Sequence, residues 1–125
     1  MTYQEIVSKV QKNAINSNAV HICYHIAIQF NIYGEGEGAF YVEIDRGRIF
    51  VMPYEYYDRD AVVYVNAETL MGVLSGELPI SDVANNGQLV IQGNHDATIT
   101  VLETLVVKET DNKKNQKNDS KTNSK

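Results

Sequence analysis

Apolar and polar positions along the first part of the chain change from a helical period to a strand period. Ile6, Val7, Val10, Ala14 and Ile15 recur at helical spacing, which predicts an amphipathic helix over residues 2–17. Thr2 and Glu5 have the spacing of a capping box at the start of this helix. Residues 20–34 then alternate strictly, which predicts one long strand. Its apolar face carries Ile22, Tyr24, Ile26, Ile28, Phe30 and Ile32.

Two further strands follow at short intervals. Residues 39–44 (AFYVEI) and 49–52 have strand patterns, and the segment 45–48 between them is typical of a hairpin turn. Gly47 suits this turn because glycine adopts a positive φ without steric cost. Strands joined by such short turns pair antiparallel, so the first three predicted strands form a meander.

The second half of the chain contains most of the predicted helices. A tyrosine-rich loop over residues 54–60 leads to a fourth strand, AVVYV, after which Asn66 caps a helix that ends at Gly76. Pro79 begins a second short helix, which ends near residues 86–87, and residues 88–92 form a fifth strand. Residues 95–106 fit a strand by propensity and a helix by spacing. Strands early and helices late favour an α+β fold.

Composition limits the class of protein. A chain of 125 residues with 43% hydrophobic residues predicts one folded domain, over residues 1–106. From Lys108 onwards no residue is apolar, so residues 107–125 are predicted to form a disordered tail. Cys23 is the only cysteine, and no apolar run is long enough to span a membrane. Since the first twenty residues are too polar for a signal peptide, a cytoplasmic location is expected.

The charge is unevenly distributed along the chain. Residues 1–105 carry five Lys and Arg against thirteen Asp and Glu, a net charge of -8, while residues 106–125 carry +3. A folded part this acidic repels phosphate backbones, so nucleic acid is not expected as a partner.

Candidate chemistry is sparse. The sequence has no nucleophile elbow and no phosphate-binding loop, so no enzymatic activity and no cofactor are expected. His21, Cys23 and His25 occupy alternate positions of the predicted first strand, and with His95 they are types that bind zinc or copper. They share the polar face of that strand, where such residues belong without a metal, so no metal site is predicted.

Three tyrosines, Tyr54, Tyr56 and Tyr57, lie in the loop before the fourth strand. Their amphipathic rings are suited to a lid over a pocket or to a partner-binding surface. A loop folded onto the sheet explains them equally well, and the sequence leaves these interpretations open.

Several strings, taken in order, resemble one known family. Between residues 25 and 105 the chain is similar to the sterol carrier protein two family, in IAIQFNIYGEGEGAFYVEIDRGRIFV, RDAVVYVNAETLMGVLSGEL and LPISDVANNGQLVIQGN. The most specific part is the set of glycines at 76, 87 and 93 with leucines at 74, 78 and 89. The chain departs from the family at residues 84–86, where Ala-Asn-Asn replaces a frequent aromatic residue.

The resemblance implies a fold and a function. It implies a five-stranded, mostly antiparallel sheet with helices covering one face, a helix over residues 95–106, and an apolar tunnel between sheet and helices. It also implies a ligand such as a fatty acid, an acyl group or a sterol, and transient membrane contact. The expected ligand-binding walls are Ile26, Ile28, Phe30, Phe40, Val42, Leu70, Val73, Leu74, Leu78, Ile80, Val83, Ile99 and Leu102.

Two points about the ligand remain open at this stage. Arg59, beside the tyrosine-rich loop, is a candidate for holding a carboxylate or phosphate head group. The same fold with a filled core predicts an alternative function, an interaction module or homodimer that uses the tyrosine-rich loop and an exposed sheet edge.

Overall fold

The computed structural model describes residues 1–107 as one α+β unit. The predicted tail, apart from Val107, lies outside the described residues. In chain order the elements are α1 (Tyr3–Ile15), β1 (His25–Tyr33), β2 (Gly38–Asp45), β3 (Arg48–Met52), β4 (Ala61–Asn66), α2 (Ala67–Ser75), α3 (Ile80–Asn85), β5 (Leu89–Gly93) and α4 (His95–Leu105).

The five strands form a single sheet in the order β3-β2-β1-β4-β5. All neighbouring strands are antiparallel except β1 and β4, which run parallel. The predicted meander of three strands is therefore confirmed, and the sheet is mostly antiparallel. The ambiguous segment 95–106 is a helix, which Asn94 caps by accepting a hydrogen bond from the amide of Ala97 at 3.0 Å.

Local sequence signals act as predicted at the ends of several elements. Thr2 and Glu5 form both hydrogen bonds of the capping box. In the β2–β3 hairpin turn, Arg46 and Gly47 have φ values of 50° and 84°, as a two-residue turn of this kind requires. Gly76 ends α2 in the left-handed conformation.

The predicted first strand was too long at its start. Residues 20–24 are not part of β1, because β2 ends at Asp45, opposite His25, and earlier residues have no strand beside them. A strand without a partner leaves its backbone groups unpaired, so the chain turns instead. The amide of Ile22 donates to the carbonyl of Ala19 at 2.8 Å. Ile22 is buried as a result, while Tyr24 is exposed.

The core lies between the sheet and the four helices. Ile28 and Phe30 on β1 face the helices together with their β2 neighbours Val42 and Phe40. The Phe30 and Phe40 rings stack with centroids 5.1 Å apart. α1 packs beside β3, and α4 covers β1 and β4. No helix within residues 1–107 has the length and apolar composition needed to cross a bilayer.

A buried asparagine connects three helices. Asn13, on α1, is only 3% exposed. Its side-chain amide donates to the carbonyl of Leu74 at 3.1 Å and to that of Leu105 at 2.9 Å. These carbonyls lie at the carboxyl ends of α2 and α4, where helical backbone acceptors lack partners inside the helix. Asn13 thus fixes the ends of both helices against α1, and the helical pattern of the sequence does not indicate this role.

Replacing this asparagine should destabilise the fold. Asn13→Ala leaves two buried carbonyl oxygens with fewer partners, and we expect a loss of about 2 kcal/mol in the free energy of unfolding. Urea unfolding followed by circular dichroism measures this loss.

The matched control is Asn16→Ala, since the side-chain amide of Asn16 donates to a single carbonyl, that of Lys12, at an exposed position. It should cost below about 0.5 kcal/mol. Equal losses in the two variants would contradict the bridging role of Asn13.

Candidate functional site

Most of the predicted wall residues meet in one place. Leu78 and Ile80 are half-buried against the core, and Ile99 is half-buried on α4 outside the core cluster. The other ten are buried together between sheet and helices: Ile26, Ile28, Phe30, Phe40, Val42, Leu70, Val73, Leu74, Val83 and Leu102. These ten residues therefore form one contiguous apolar cluster, while their role as the walls of a tunnel stays a prediction.

Open space lies beside this core, along α2. Two adjoining cavities of about 420 and 550 Å³ share Met1, Glu68 and Met71 in their walls. We call them together the α2 groove. Its remaining lining residues are Tyr33, Gly34, Glu35, Asn66 and Ala67 at one end, and Lys9, Gly72, Ser75, Glu77 and Leu78 at the other.

The parallel pairing of β1 with β4 sets the position of this groove. Tyr33 and Asn66 are register partners, so both strands end at the same edge of the sheet. Asn66 also caps α2 by accepting a hydrogen bond from the amide of Thr69 at 2.8 Å. Since α2 begins immediately after β4, its first turn stands over the end of β1. The groove opens where these three elements meet.

The groove has mixed apolar and charged walls. Tyr33, Ala67 and Met71 contribute apolar surface to them. At the rim, the ammonium of Met1 lies 2.8 Å from the carboxylate of Glu35. The hydrogen bond between them raises the pKa of the amino group and lowers the pKa of the carboxyl group. Because the Glu35 carboxylate is largely exposed, the pair adds little stability and can separate at small cost.

Gly72 allows Leu78 to pack closely against α2 at the end of the groove that is formed by Gly72, Ser75, Glu77 and Leu78. The amide of Leu78 donates to the carbonyl of Gly72 at 3.0 Å, and a Cβ at Gly72 would lie 2.5 Å from the Cδ1 of Leu78. The absence of a side chain at this position allows the loop after α2 to fold back against the helix. Leu78 is the predicted wall residue that lines the α2 groove.

The tyrosine-rich loop lies on the opposite face of the sheet. The Tyr56 ring stacks on that of Tyr41 with centroids 4.6 Å apart, and its hydroxyl donates to Glu43 at 3.3 Å. The Tyr56 amide donates to the side-chain oxygen of Gln29 at 3.0 Å. Glu43 also lies 2.6 Å from the Nε2 of His25. Of the open interpretations, the loop folded onto the sheet is the one observed, so the loop is not a lid over the α2 groove, and a partner-binding surface stays a prediction.

Two other sequence-based candidates do not join the groove. Arg59 donates to the carbonyl of Tyr56 at 3.1 Å, within the loop on the other face, so it is not placed to hold a head group in the groove. His21 and Cys23 precede β1, so they do not share a strand face with His25, and that expectation is corrected. His95 begins α4. Among the described residues no three His, Cys, Asp or Glu side chains are grouped closely enough to hold a metal ion.

The sequence patterns did not indicate that Met1 and Glu35 lie together in the groove. Met1 and Glu35 are 34 positions apart and join only because the β1–β2 turn packs against the start of α1. A Cβ at Gly36 would lie 2.6 Å from the Cδ1 of Ile6, so the β1–β2 turn and α1 are in close contact there. The glycine-rich string at residues 34–38 was the available signal, and it indicated a turn without indicating what the turn contacts.

A helix-covered sheet with an adjoining apolar groove is an arrangement typical of small lipid-carrying folds. The sequence pattern of the SCP-2 sterol transfer family matches residues 9–106, and the chain belongs to this family. The resemblance seen in the sequence is thereby confirmed. No curated protein matches the sequence.

Solved structures share the fold at low sequence identity. The chain is similar to palmitated SCP2L2 from Aedes aegypti, with a TM-score of 0.61 and 14% identity over 86% of this chain and 97% of that one. It is also similar to UbiJ-SCP2, a ubiquinone synthesis protein, with a TM-score of 0.57 and 14% identity over 70% of each chain. A third similar structure is the sec-alkylsulfatase Pisa1 from Pseudomonas sp., with a TM-score of 0.58 and 10% identity. That match covers 77% of this chain and 14% of the sulfatase.

The stacked tyrosines predict a loss of stability at high pH. Desolvation is the main cause that raises the pKa of Tyr41 and of Tyr56, and Glu43 adds to it in both. A raised pKa means that the folded state holds the proton more tightly, so this contribution is complete below the unfolded value of about 10 and is lost as pH rises above it. Urea unfolding at increasing pH should show this decline, and Tyr56→Phe should make it shallower.

Tyr57→Phe is the matched control, because the Tyr57 side chain is 97% exposed. This variant should keep the full decline of the parent protein. A decline that is unchanged in Tyr56→Phe would show that the loop contact does not depend on the protonated phenol.

Proposed function

We propose that this protein binds an apolar lipid, such as a fatty acid, an acyl group or a sterol, and carries it between membranes without chemical change. The ligand enters through the α2 groove and places its hydrocarbon part against Met71 and Leu78. The observation that carries this proposal is the α2 groove itself, a half-open apolar space directly beside the helix-covered core.

The size of the groove suits such a ligand. Its two cavities each fall within the range of about 300–1,000 Å³ that is usual for small-molecule sites. A chain of sixteen carbons gains about 0.8 kcal/mol for each CH₂ that it buries, so complete burial yields on the order of 12 kcal/mol. Association costs from several to about 15 kcal/mol in lost freedom. A net affinity near micromolar follows, which allows both capture and release.

The family and one relative support the ligand class. The family is described as a sterol transfer family, and the SCP2L2 relative from Aedes aegypti is palmitated. An apolar ligand held by non-directional forces leaves the head group loosely selected. We therefore propose an acyl or sterol-like ligand without assigning one compound. Transient contact with a membrane is part of the proposal, since such a ligand is collected and delivered there.

Carriage without catalysis agrees with the placing of the carboxylates. Glu35, Glu68 and Glu77 line the groove, and all three are exposed at its rim. A carboxylic acid that works as a general acid near neutral pH normally needs burial to raise its pKa. The pKa of Glu35 is lowered instead, by its contact with the Met1 ammonium.

A second candidate function rests on the packing of the core. The ten buried wall residues form one contiguous cluster, and a core that stays filled would leave the fold as an interaction module. Native mass spectrometry of gently purified protein separates the two candidates. Retained lipid supports the carrier, and a spectrum of bare protein supports the interaction module.

A side chain that fills the groove should block binding. Met71→Trp places an indole in the space shared by both cavities, and we expect uptake of a fluorescent fatty-acid analogue to weaken about tenfold or more. Titration of the probe with the purified full chain, read by fluorescence, gives the dissociation constant.

Met52→Trp is the matched control, because Met52 is half-exposed on the outer face of β3, away from the groove. It should bind the probe as the parent protein does. Saturable uptake that is equal in the parent and in Met71→Trp would place the ligand elsewhere, and no saturable uptake of any acyl or sterol probe would overturn the carrier proposal.

A further inference from the structure

The free edge of β3 forms a second surface, separate from the α2 groove. β3 lies at the end of the sheet and pairs only with β2. Beside it is a cavity of about 280 Å³, lined by Gln11, Ala14, Ile15, Ile49 and Val51. We call these five residues the β3 edge. None of them lines the α2 groove.

The hairpin register shows which backbone groups of β3 point outwards. Asp45 and Arg48 flank the two-residue turn, so they form a hydrogen-bonded pair, and the pattern alternates from there. Arg48 and Phe50 therefore bond to β2, whereas Ile49 and Val51 direct their amides and carbonyls away from it. The side-chain amide of Gln11 donates to the carbonyl of Val51 at 3.3 Å, which confirms the outward direction.

An exposed aliphatic side chain lies at the same place. Ile15, at the last position of α1, is 82% exposed although it lines the β3-edge cavity. On the outer face of the strand Phe50 is also exposed, with the Arg48 guanidinium 5.4 Å from its ring centre. An edge strand whose backbone amides point outwards, with flanking apolar side chains, is a template for another strand.

We propose that the β3 edge pairs antiparallel with the β3 edge of a second copy of this chain. Ile49 and Val51, whose backbone amides and carbonyls point away from β2, lie symmetrically about Phe50. A twofold axis through Phe50 sets Ile49 of one copy opposite Val51 of the other, so each outward amide meets an outward carbonyl. The Val51 carbonyl has two lone pairs, so it accepts from the Ile49 amide of the second copy in addition to its own Gln11. A strand edge that matches itself in this way suits a symmetric dimer.

The same axis brings the two α1 helices together. It stands perpendicular to the sheet, so both helix layers remain on one side of a continuous ten-stranded sheet, and Ile15 of each copy becomes covered. A ladder of two five-residue strands alone buries less than the about 1,000 Å² of a stable interface. The α1 contact is needed as well, and the dimer should be a weak one that forms at micromolar concentration or above.

Charge favours this edge over the other end of the sheet. The folded part is strongly acidic, yet Arg48 lies on β3 itself and Lys12 follows Gln11 on α1, so the charge beside this edge is less negative and two copies repel each other less there. The opposite edge strand, β5, contacts α3 and α4, whose first turns carry Asp82 and Asp96. Two acidic copies would therefore repel each other more at β5.

Sedimentation equilibrium of the full chain, from about 5 µM to about 1 mM, tests the dimer. We expect the parent protein to change from monomer to dimer across this range. Ile15→Glu and Ile49→Pro should each raise the dissociation constant about tenfold or more, because one adds a buried charge and the other removes an outward amide. Circular dichroism of Ile15→Glu should match the parent, since that side chain is exposed in the monomer.

Val90→Glu is the matched control, because it adds the same charge at an exposed apolar residue of β5. It should leave the dissociation constant within about twofold of the parent. A protein that stays monomeric throughout the range would overturn the proposal and leave the edge to a different extended partner. Dimer loss in Val90→Glu equal to that in Ile15→Glu would overturn it too. Probe binding by Ile15→Glu should equal that of the parent, so this result is independent of the carrier proposal.

Discussion

The helix-facing side of β1 and β2 cannot remain in contact with water, and the arrangement of the helices follows from covering it. Phe30 and Phe40 stack there, with Ile28 and Val42 as the adjacent pair. Each buried side chain of this size contributes about 1.5–3 kcal/mol, so four neighbours outweigh any local preference in the loops. α4 covers the centre of the sheet and α1 covers the β3 side. Asn13 then joins the carboxyl ends of α2 and α4 to α1 by donating to the backbone carbonyls of Leu74 and Leu105.

The same covering leaves α2 only partly packed, and this is what makes a ligand groove physically reasonable. α2 follows β4 without a loop, so its position is set by the end of a strand as well as by contact with the core. One side of it carries Leu70, Val73 and Leu74 into the core, and the other side, with Met71, faces open space. Methionine is flexible and tolerates irregular neighbours, so a ligand there need not disturb the buried side. The tyrosine-rich loop packs on the outer face of the sheet instead, against Tyr41 and Gln29.

Part of the candidate site could be predicted from the sequence, and part could not. Leu78 was found because its string resembles a family pattern, and the apolar alternation of β1 and β2 identified the residues of the core. Met1, Glu35 and Met71 were missed, because the groove depends on how α1, the β1–β2 turn and α2 approach one another. The grouping of His21, Cys23 and His25 was wrong for a related reason. Strand periodicity continued to Val20, but a strand also needs a partner, and β2 ends opposite His25.

The sequence by itself determined the elements, their order and most of their ends, since capping residues, turn glycines and hydrophobic period act over a few neighbouring positions. It also determined the α+β class, and its resemblance to one family resolved the helix at residues 95–106. Only the tertiary structure decided that β1 pairs parallel with β4, that the tyrosines fold onto the outer face, and that an amide on α1 binds carbonyls 61 and 92 positions away. These contacts join residues far apart in the chain. They contribute to the free energy of folding only when the sheet and the helices pack together and exclude water.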